Sequence, residues 1–226
     1  EQSVATRMIV DREAENDAFV PQEYWTLTAN FTDGSQKFTA KYVGSGDEKT
    51  DITSSVQAKA LREKLVDQKF SITSVKTGER RKNPQPPFTT SNLQQEAVRK
   101  LSFTTKKTMQ IAQMLYEGVD IEGEGTVGLI SYIRTDSTRL SDEALTAARD
   151  YISANFAPEY LPETPNIYKG RKKAQDAHEA IRPTHALFSP EKVKASLTRD
   201  QYRLYKLIYD RYLPSQMTPA GYDTLA

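Results

Sequence analysis

Gly78-Glu79-Arg80-Arg81-Lys82-Asn83-Pro84-Gln85-Pro86-Pro87 separates two parts of the chain that follow different rules. Its last four residues hold three prolines, and no apolar period runs through it, which is the composition of a linker. Before it, Trp25, Leu27, Ala29 and Phe31 alternate with Thr26, Thr28 and Asn30, the period of a half-buried strand. Asp33-Gly34 marks a turn, and Phe38, Ala40 and Tyr42 alternate again, so a hairpin is expected. Residues 44–50 form a polar loop, residues 55–67 carry Val56, Ala60, Leu61 and Leu65 on one helical face, and residues 70–75 suit a strand.

After the linker the period becomes helical. Ser91 with Gln94 has the pattern of a capping box ahead of Leu93, Ala97, Val98 and Leu101. A second helix fits residues 105–117, with Gly118 as its stop and an acidic loop at 122–125. Ser141 can cap a helix carrying Ala144, Leu145, Ala148 and Ile152. Ser189-Pro190 opens another, and Thr198 with Gln201 starts the longest, ended by Pro214. Its stripe of Tyr202, Tyr205, Ile208, Tyr209 and Tyr212 reads as packing. The expected class is α+β: helix in residues 1–23, a β-rich part in 24–82, a mainly helical part in 83–217 and a strand in 218–226. The basic patch at 80–82 reads equally as solvated linker and as DNA contact, and residues 170–173 form a second basic patch.

Bulk composition removes several classes. The 226 residues suffice for one large or two small domains, and 37% hydrophobic content argues against wholesale disorder. Lysine plus arginine (31) nearly balance aspartate plus glutamate (30), so the net charge of +1 gives no global case for nucleic-acid binding. The absence of cysteine removes disulfides and cysteine-based zinc sites and suits a reducing cytoplasmic setting. No apolar run approaches the ~20 residues of a membrane helix, so no membrane partner is expected. No phosphate-binding GxxxxGK loop occurs.

Two short segments carry chemistry. In Gly128-Leu129-Ile130-Ser131-Tyr132-Ile133-Arg134-Thr135-Asp136-Ser137 an apolar run leads into a tyrosine, with a cation two residues on. In an extended segment such residues point the same way, so Tyr132 and Arg134 can face one target. A free phenol ionises only near pH ~10, so a nucleophilic tyrosine needs positive charge or a base beside it. A guanidinium can supply that charge and hold a phosphate. The plainer reading is a half-buried ring beside an exposed charge. The second segment, Ala177-His178-Glu179-Ala180-Ile181-Arg182-Pro183-Thr184, holds one of only two histidines. A short helix would put His178 and Arg182 on one face, where they bracket a phosphate or form a surface pair. The histidines lack the company of a zinc site, so no metal ligand is expected in the chain.

These two segments resemble the active-site tyrosine motif and the second signature of bacterial type IA DNA topoisomerases. Further stretches resemble successive landmarks of that family: Val10-Asp11-Arg12-Glu13, Phe19 to Trp25, Pro87 to Gln95, Lys106 to Thr108, Leu115-Tyr116-Glu117 and Gln216 to Ala220. The resemblance implies that the tyrosine attacks a backbone phosphate of single-stranded DNA. A 5′-phosphotyrosine link then forms, a strand passes, and the break is resealed without ATP, relaxing negative supercoils. It implies roles for Tyr132 and Arg134 in catalysis, and for Gln2, Asp136, His178 and Arg182 in DNA binding or support. It also implies a winged-helix-like tyrosine domain at 83–217 joined to the first part of a β-rich arch, or hinge, at 24–82. Residues 218–226 return to the arch, and residues 1–23 lead out of a preceding gate region.

One departure limits these implications. The family also has an acidic metal-binding domain with an Asp-x-Asp pattern that binds Mg²⁺, and this sequence contains no Asp-x-Asp. The resemblance thus implies a central fragment, inactive alone, whose metal ligands lie outside the chain. The family's Gly-Arg-Val-Gln-Ser segment is matched only at Gln2-Ser3. The alternative is a non-catalytic DNA-binding or hinge module. A tyrosine recombinase or type IB enzyme is disfavoured by order, since Tyr132 precedes His178 and Arg182.

Overall fold

The computed structural model describes residues 2–46, 48–168 and 178–225, apart from the side chain of Gln2. The basic patch at 170–173 and Ala177 lie outside the described residues. The chain divides into two compact units, Glu1–Ser74 and Val75–Ala226, a division that falls ahead of the proline-rich stretch.

In the first unit, helix α1 (Gln2–Asp17) keeps Val4, Met8 and Ile9 exposed, so it has no core-facing stripe. Strands β1 (Thr28–Thr32) and β2 (Lys37–Lys41) form the expected hairpin, with Phe31 opposite Phe38 and their rings stacked at 5.2 Å. The turn is set by Asp33, whose carboxylate accepts the backbone N–H groups of Gln36 and Ser35. Those hydrogen bonds hold its carboxyl below the usual range. A short pair, β3 (Gly44–Ser45) and β4 (Glu48–Lys49), precedes α2 (Ser55–Val66), which Ser54 caps by accepting from Gln57. Residues 70–75 form no strand. Phe70 leans edge-on against Phe31, but the segment finds no neighbouring strand edge, and Ile72 and Val75 stay exposed.

The second unit holds nearly all of the buried apolar residues among those described. The proline-rich stretch is not a free linker. Its first half forms strand β5 (Thr77–Lys82), antiparallel to β8 (Ala220–Leu225). Its second half lies on the helical body, where Tyr168 donates to the Pro84 carbonyl and Arg211 to that of Pro86. Phe88, just after it, is fully buried with the Arg211 guanidinium 4.3 Å from its ring centre.

Helices α3 (Thr90–Leu101), α4 (Thr105–Glu117) and the later α7 (Arg199–Ser215) pack on one another. The cap of α3 is Thr89 rather than Ser91. Thr90 is already drawn into the helix start by its bonds to Ile133 and Thr135, which fixes the first turn two residues earlier. Gly118, with φ 131°, ends α4 as expected. The acidic loop at 122–125 tops a hairpin of β6 (Val119–Ile121) and β7 (Gly125–Val127), which supplies the wing beside the helices. Helix α5 (Asp142–Asn155) starts at Ser141, and α6 (Pro190–Val193) is a single turn behind Ser189. Thr198 and Gln201 form the full capping box of α7, which runs one residue past Pro214. The α+β class and its mainly helical second part are thus observed.

The tyrosine stripe of α7 is packing with a polar purpose. Tyr205, Tyr209 and Tyr212 are buried, and their hydroxyls donate to the carbonyls of Phe188 (2.6 Å), Ala186 (2.6 Å) and Ala144 (2.7 Å). Burial pushes the Tyr212 phenol up to about 12 and raises those of Tyr205 and Tyr209 as well, so all three remain neutral donors. Each apolar body fills the core while each hydroxyl ties a neighbouring segment to the helix.

Candidate active site

The two sequence motifs meet in the second unit. Ser131 N–H donates to the Arg182 carbonyl (2.9 Å) and Thr184 N–H to the Leu129 carbonyl (3.0 Å), around an antiparallel bridge between Ile130 and Pro183. The Ser131 hydroxyl donates to the Ala180 carbonyl (2.7 Å) and accepts from Arg182 N–H (3.0 Å). The Thr184 hydroxyl donates to the Gly128 carbonyl (2.7 Å). These bonds make residues 178–184 extended rather than helical. Ala180 and Ile181 are fully buried and donate to the carbonyls of Arg139 and Phe88, contacts a helical turn would break.

Tyr132 emerges at the end of this ladder, 41% exposed. It borders an open hollow of about 900 Å³ whose lining includes His178, Glu179, Arg182, Tyr151, Glu143 and Asp150. Its ring centre lies 5.5 Å from that of His178 at 32°, and 5.7 Å from that of Tyr116 at 69°. The side chain is therefore contacted by two aromatic rings and remains partly exposed.

The remaining predicted residues divide. His178 is exposed on the same hollow as Tyr132. Arg182 also borders it, but its guanidinium is engaged inside the domain, with Nε donating to Glu179 Oε2 (2.7 Å) and Nη1 to the Pro183 carbonyl (2.9 Å). Burial alone would raise the Glu179 carboxyl. Hydrogen bonds from Arg182 and Ser141, with the charges of Arg182 and Arg139, outweigh it and hold the carboxyl below its usual value.

Arg134 does not share the hollow of Tyr132. The alternation persists, with Ile133 and Thr135 buried between exposed neighbours, but the backbone bends at Ile133 and Arg134. Arg134 instead borders a separate, shallower hollow with Lys106, Gln113, Met114 and Glu117. Thr90 holds the bend: its hydroxyl donates to the Ile133 carbonyl (2.6 Å) and accepts from Thr135 N–H (2.9 Å). Asp136 is exposed and borders neither hollow. Gln2 is the first residue of α1, and its side chain lies outside the described residues.

Sequence reasoning missed Tyr116 and Thr90 as site residues. The signal for Tyr116 was the Leu115-Tyr116-Glu117 landmark. The signal for Thr90 was its place in the Pro87 to Gln95 landmark. Gly128 belongs with them: a Cβ there would stand 2.7 Å from the Tyr116 carbonyl oxygen, so only glycine lets the chain pass this closely under the last turn of α4.

No three histidine, aspartate or glutamate side chains converge to hold a metal ion among the described residues. Glu179, which borders the hollow, is taken by Arg182 and Ser141. The described residues therefore form no magnesium site. Chemically, an open phenol beside an imidazole can serve as an oxygen nucleophile toward a phosphoryl group, with the imidazole hydrogen-bonding a phosphate oxygen.

Fold and motif pair together define the class: an α+β protein built around a surface tyrosine that two signature segments position. The family profile described as DNA topoisomerase matches residues 2–226. The full-length topoisomerase I of Thermotoga maritima has a similar structure, with 37% identity and a TM-score of 0.75. The likeness covers 97% of this chain and 33% of that one, so the chain spans about a third of that relative's length. The chain belongs to the bacterial DNA topoisomerase family, as its motifs led one to expect. No helix among the described residues is long and apolar enough to cross a membrane.

Proposed function

We propose that the chain is the tyrosine-bearing part of a type IA topoisomerase. In this reading Tyr132 gives up its proton and its oxygen bonds to a backbone phosphorus of single-stranded DNA. The bond from that phosphorus to the 3′ oxygen breaks, and the 3′ oxygen takes a proton and leaves as a hydroxyl. The phosphoester is kept as a 5′-phosphotyrosine, so the reverse attack by the 3′-hydroxyl reseals the strand without ATP. A strand passed through the break relaxes negative supercoils.

The observation that carries the proposal is the exposed Tyr132 ring beside His178, on a segment bearing the family's motif. His178 is assigned to hydrogen-bond a phosphate oxygen. Arg182, occupied by Glu179, is assigned to hold the segment rather than to touch DNA. Arg134, exposed around the bend, is assigned to the phosphate on the strand's other side, and Asp136 and Gln2 to supporting contacts. In this reading magnesium is held by an acidic domain outside the chain. The expected setting is the cytoplasm, with single-stranded DNA as partner.

The test is adduct trapping. The complete enzyme containing this chain is mixed with a labelled single-stranded oligonucleotide, denatured, and examined for label covalently on protein. Label should map to Tyr132 and vanish in Tyr132→Phe while DNA affinity stays within about twofold. Label persisting in Tyr132→Phe would refute the assignment. The 226-residue chain alone should leave supercoiled plasmid unrelaxed in magnesium, and full relaxation would show that the site needs no outside domain.

A further inference from the structure

We infer that Tyr116 is a positioning residue for Tyr132: with His178 it forms a clamp of rings that sets the direction of the nucleophilic hydroxyl. The inference rests on the reading of Tyr132 as nucleophile and goes beyond it to how that side chain is aimed.

Three observations carry it. The Tyr116 ring meets the Tyr132 ring edge-to-face, at 5.7 Å and 69°, an arrangement the aromatic quadrupoles favour. His178 packs on Tyr132 at 5.5 Å and 32°, so the ring is contacted by two aromatic side chains. Finally, the backbones of the two tyrosines are locked together. Leu129 N–H donates to the Leu115 carbonyl at 2.8 Å, and Gly128 passes so close to the Tyr116 carbonyl that a side chain would not fit. Helix α4 therefore fixes where the Tyr132 segment starts, and its last-turn tyrosine fixes how the ring at the end of that segment is turned.

A ring clamp orients a phenol without touching its oxygen. Ring contacts restrict the side-chain torsions and leave the oxygen open both to a base that takes its proton and to phosphorus. Holding a reacting group near its attack geometry lowers the barrier by removing that rotational freedom beforehand. Tyr116 meets Tyr132 through its ring, so the ring rather than the hydroxyl is assigned the positioning role.

The experiment compares Tyr116→Phe, Tyr116→Leu and Tyr116→Met with the unaltered full-length enzyme. Single-turnover cleavage rate and oligonucleotide affinity are measured separately. Loss of one aromatic pair should slow cleavage roughly 2- to 12-fold in the Leu and Met variants. DNA affinity should hold, and Phe should cleave at the original rate. Cleavage by Leu and Met at the original rate overturns the inference, as does Phe falling as far as Leu. In the 226-residue chain, NMR of the Tyr132 ring supplies a readout independent of catalysis. Its shifts should move toward those of free tyrosine in Tyr116→Leu and stay in Tyr116→Phe, and unchanged shifts in Leu also overturn the inference. Tyr132→Phe runs alongside: an adduct there refutes the nucleophile assignment, whereas its loss with an unslowed Leu variant refutes the clamp alone.

Discussion

Replacing Gly128 by alanine should destabilise the second unit and slow the chemistry of Tyr132 together. The added Cβ would stand 2.7 Å from the Tyr116 carbonyl oxygen, a distance real Cβ atoms do not adopt, so backbone must move. Neither side is free to yield. The Gly128 carbonyl accepts from the Thr184 hydroxyl at 2.7 Å, and the next residue, Leu129, donates to Leu115 at 2.8 Å. Leu115 and Leu129 are both fully buried. Overpacking of this kind costs about 1–3 kcal/mol. For a protein of this size each kcal/mol lowers the melting temperature by about 2–4 °C, so a fall of about 2–12 °C is expected by calorimetry. The displacement is passed to Tyr132, four residues on, so adduct formation should fall further than DNA affinity. Gly123→Ala is the contrast. Nothing stands within 4 Å of its Cβ, and its cost comes only from a φ of +81° at the hairpin tip. If Gly128→Ala melts with the unaltered protein and forms adduct at the same rate, the close approach is not what positions the tyrosine segment.

Two further substitutions probe the same frame. Thr90→Val removes the hydroxyl that donates to the Ile133 carbonyl and accepts from Thr135 N–H, so it should cost about 1–3 kcal/mol in urea unfolding, and Thr90→Ser should recover most of it. Glu179 has a folded pKa below its unfolded value. Its contribution to stability is therefore complete above the ordinary carboxylate pKa of about 4.3 and is lost as pH falls through the lowered one. Glu179→Gln should melt lower than the unaltered chain at pH 7, with the gap closing below about pH 4; a gap that stays constant down to pH 3 would contradict the Glu179–Arg182 pairing.

The sequence was most legible where local chemistry decides. Ser141, Ser189 and Thr198 cap helices where Ser and Thr fall before an apolar period, and Asp33-Gly34 turns a hairpin through the carboxylate of Asp33. It was least legible where a distant partner decides. Nothing local in Thr77–Lys82 marks a strand, because its partner lies at Ala220–Leu225, beyond helices α3 to α7 in the chain. Residues 70–75 have the pattern of a strand and lack the partner. At the site, Tyr132 and His178 stood out by motif, and their meeting depends on Ser131 and Thr184, whose side chains carry no such signal. The placing of Arg134 on another hollow follows from a bend that Thr90 enforces from 44 residues away in the chain, and no period of two can foresee that.

The geometry has a consequence for where deformation can occur without disturbing the chemistry. Tyr132, His178 and Tyr116 sit in one unit, joined by backbone ladders and backed by buried residues of α4 and α7. The chain enters the helical body of that unit through β5 and leaves it through β8, and these strands are hydrogen-bonded neighbours. Every described residue of that ribbon is exposed, so it contributes no buried apolar contact to the core. Segments with few buried contacts open and bend at low cost, whereas a packed core responds as a block. Bending at the ribbon would leave the Tyr116–Tyr132–His178 arrangement intact, while any motion between residues 128–131 and the 178–184 segment would break the bonds of Ser131 and Thr184. A phosphate held covalently on Tyr132 would thus travel with its histidine and its ring clamp, and resealing would meet the same oriented oxygen that cleavage used.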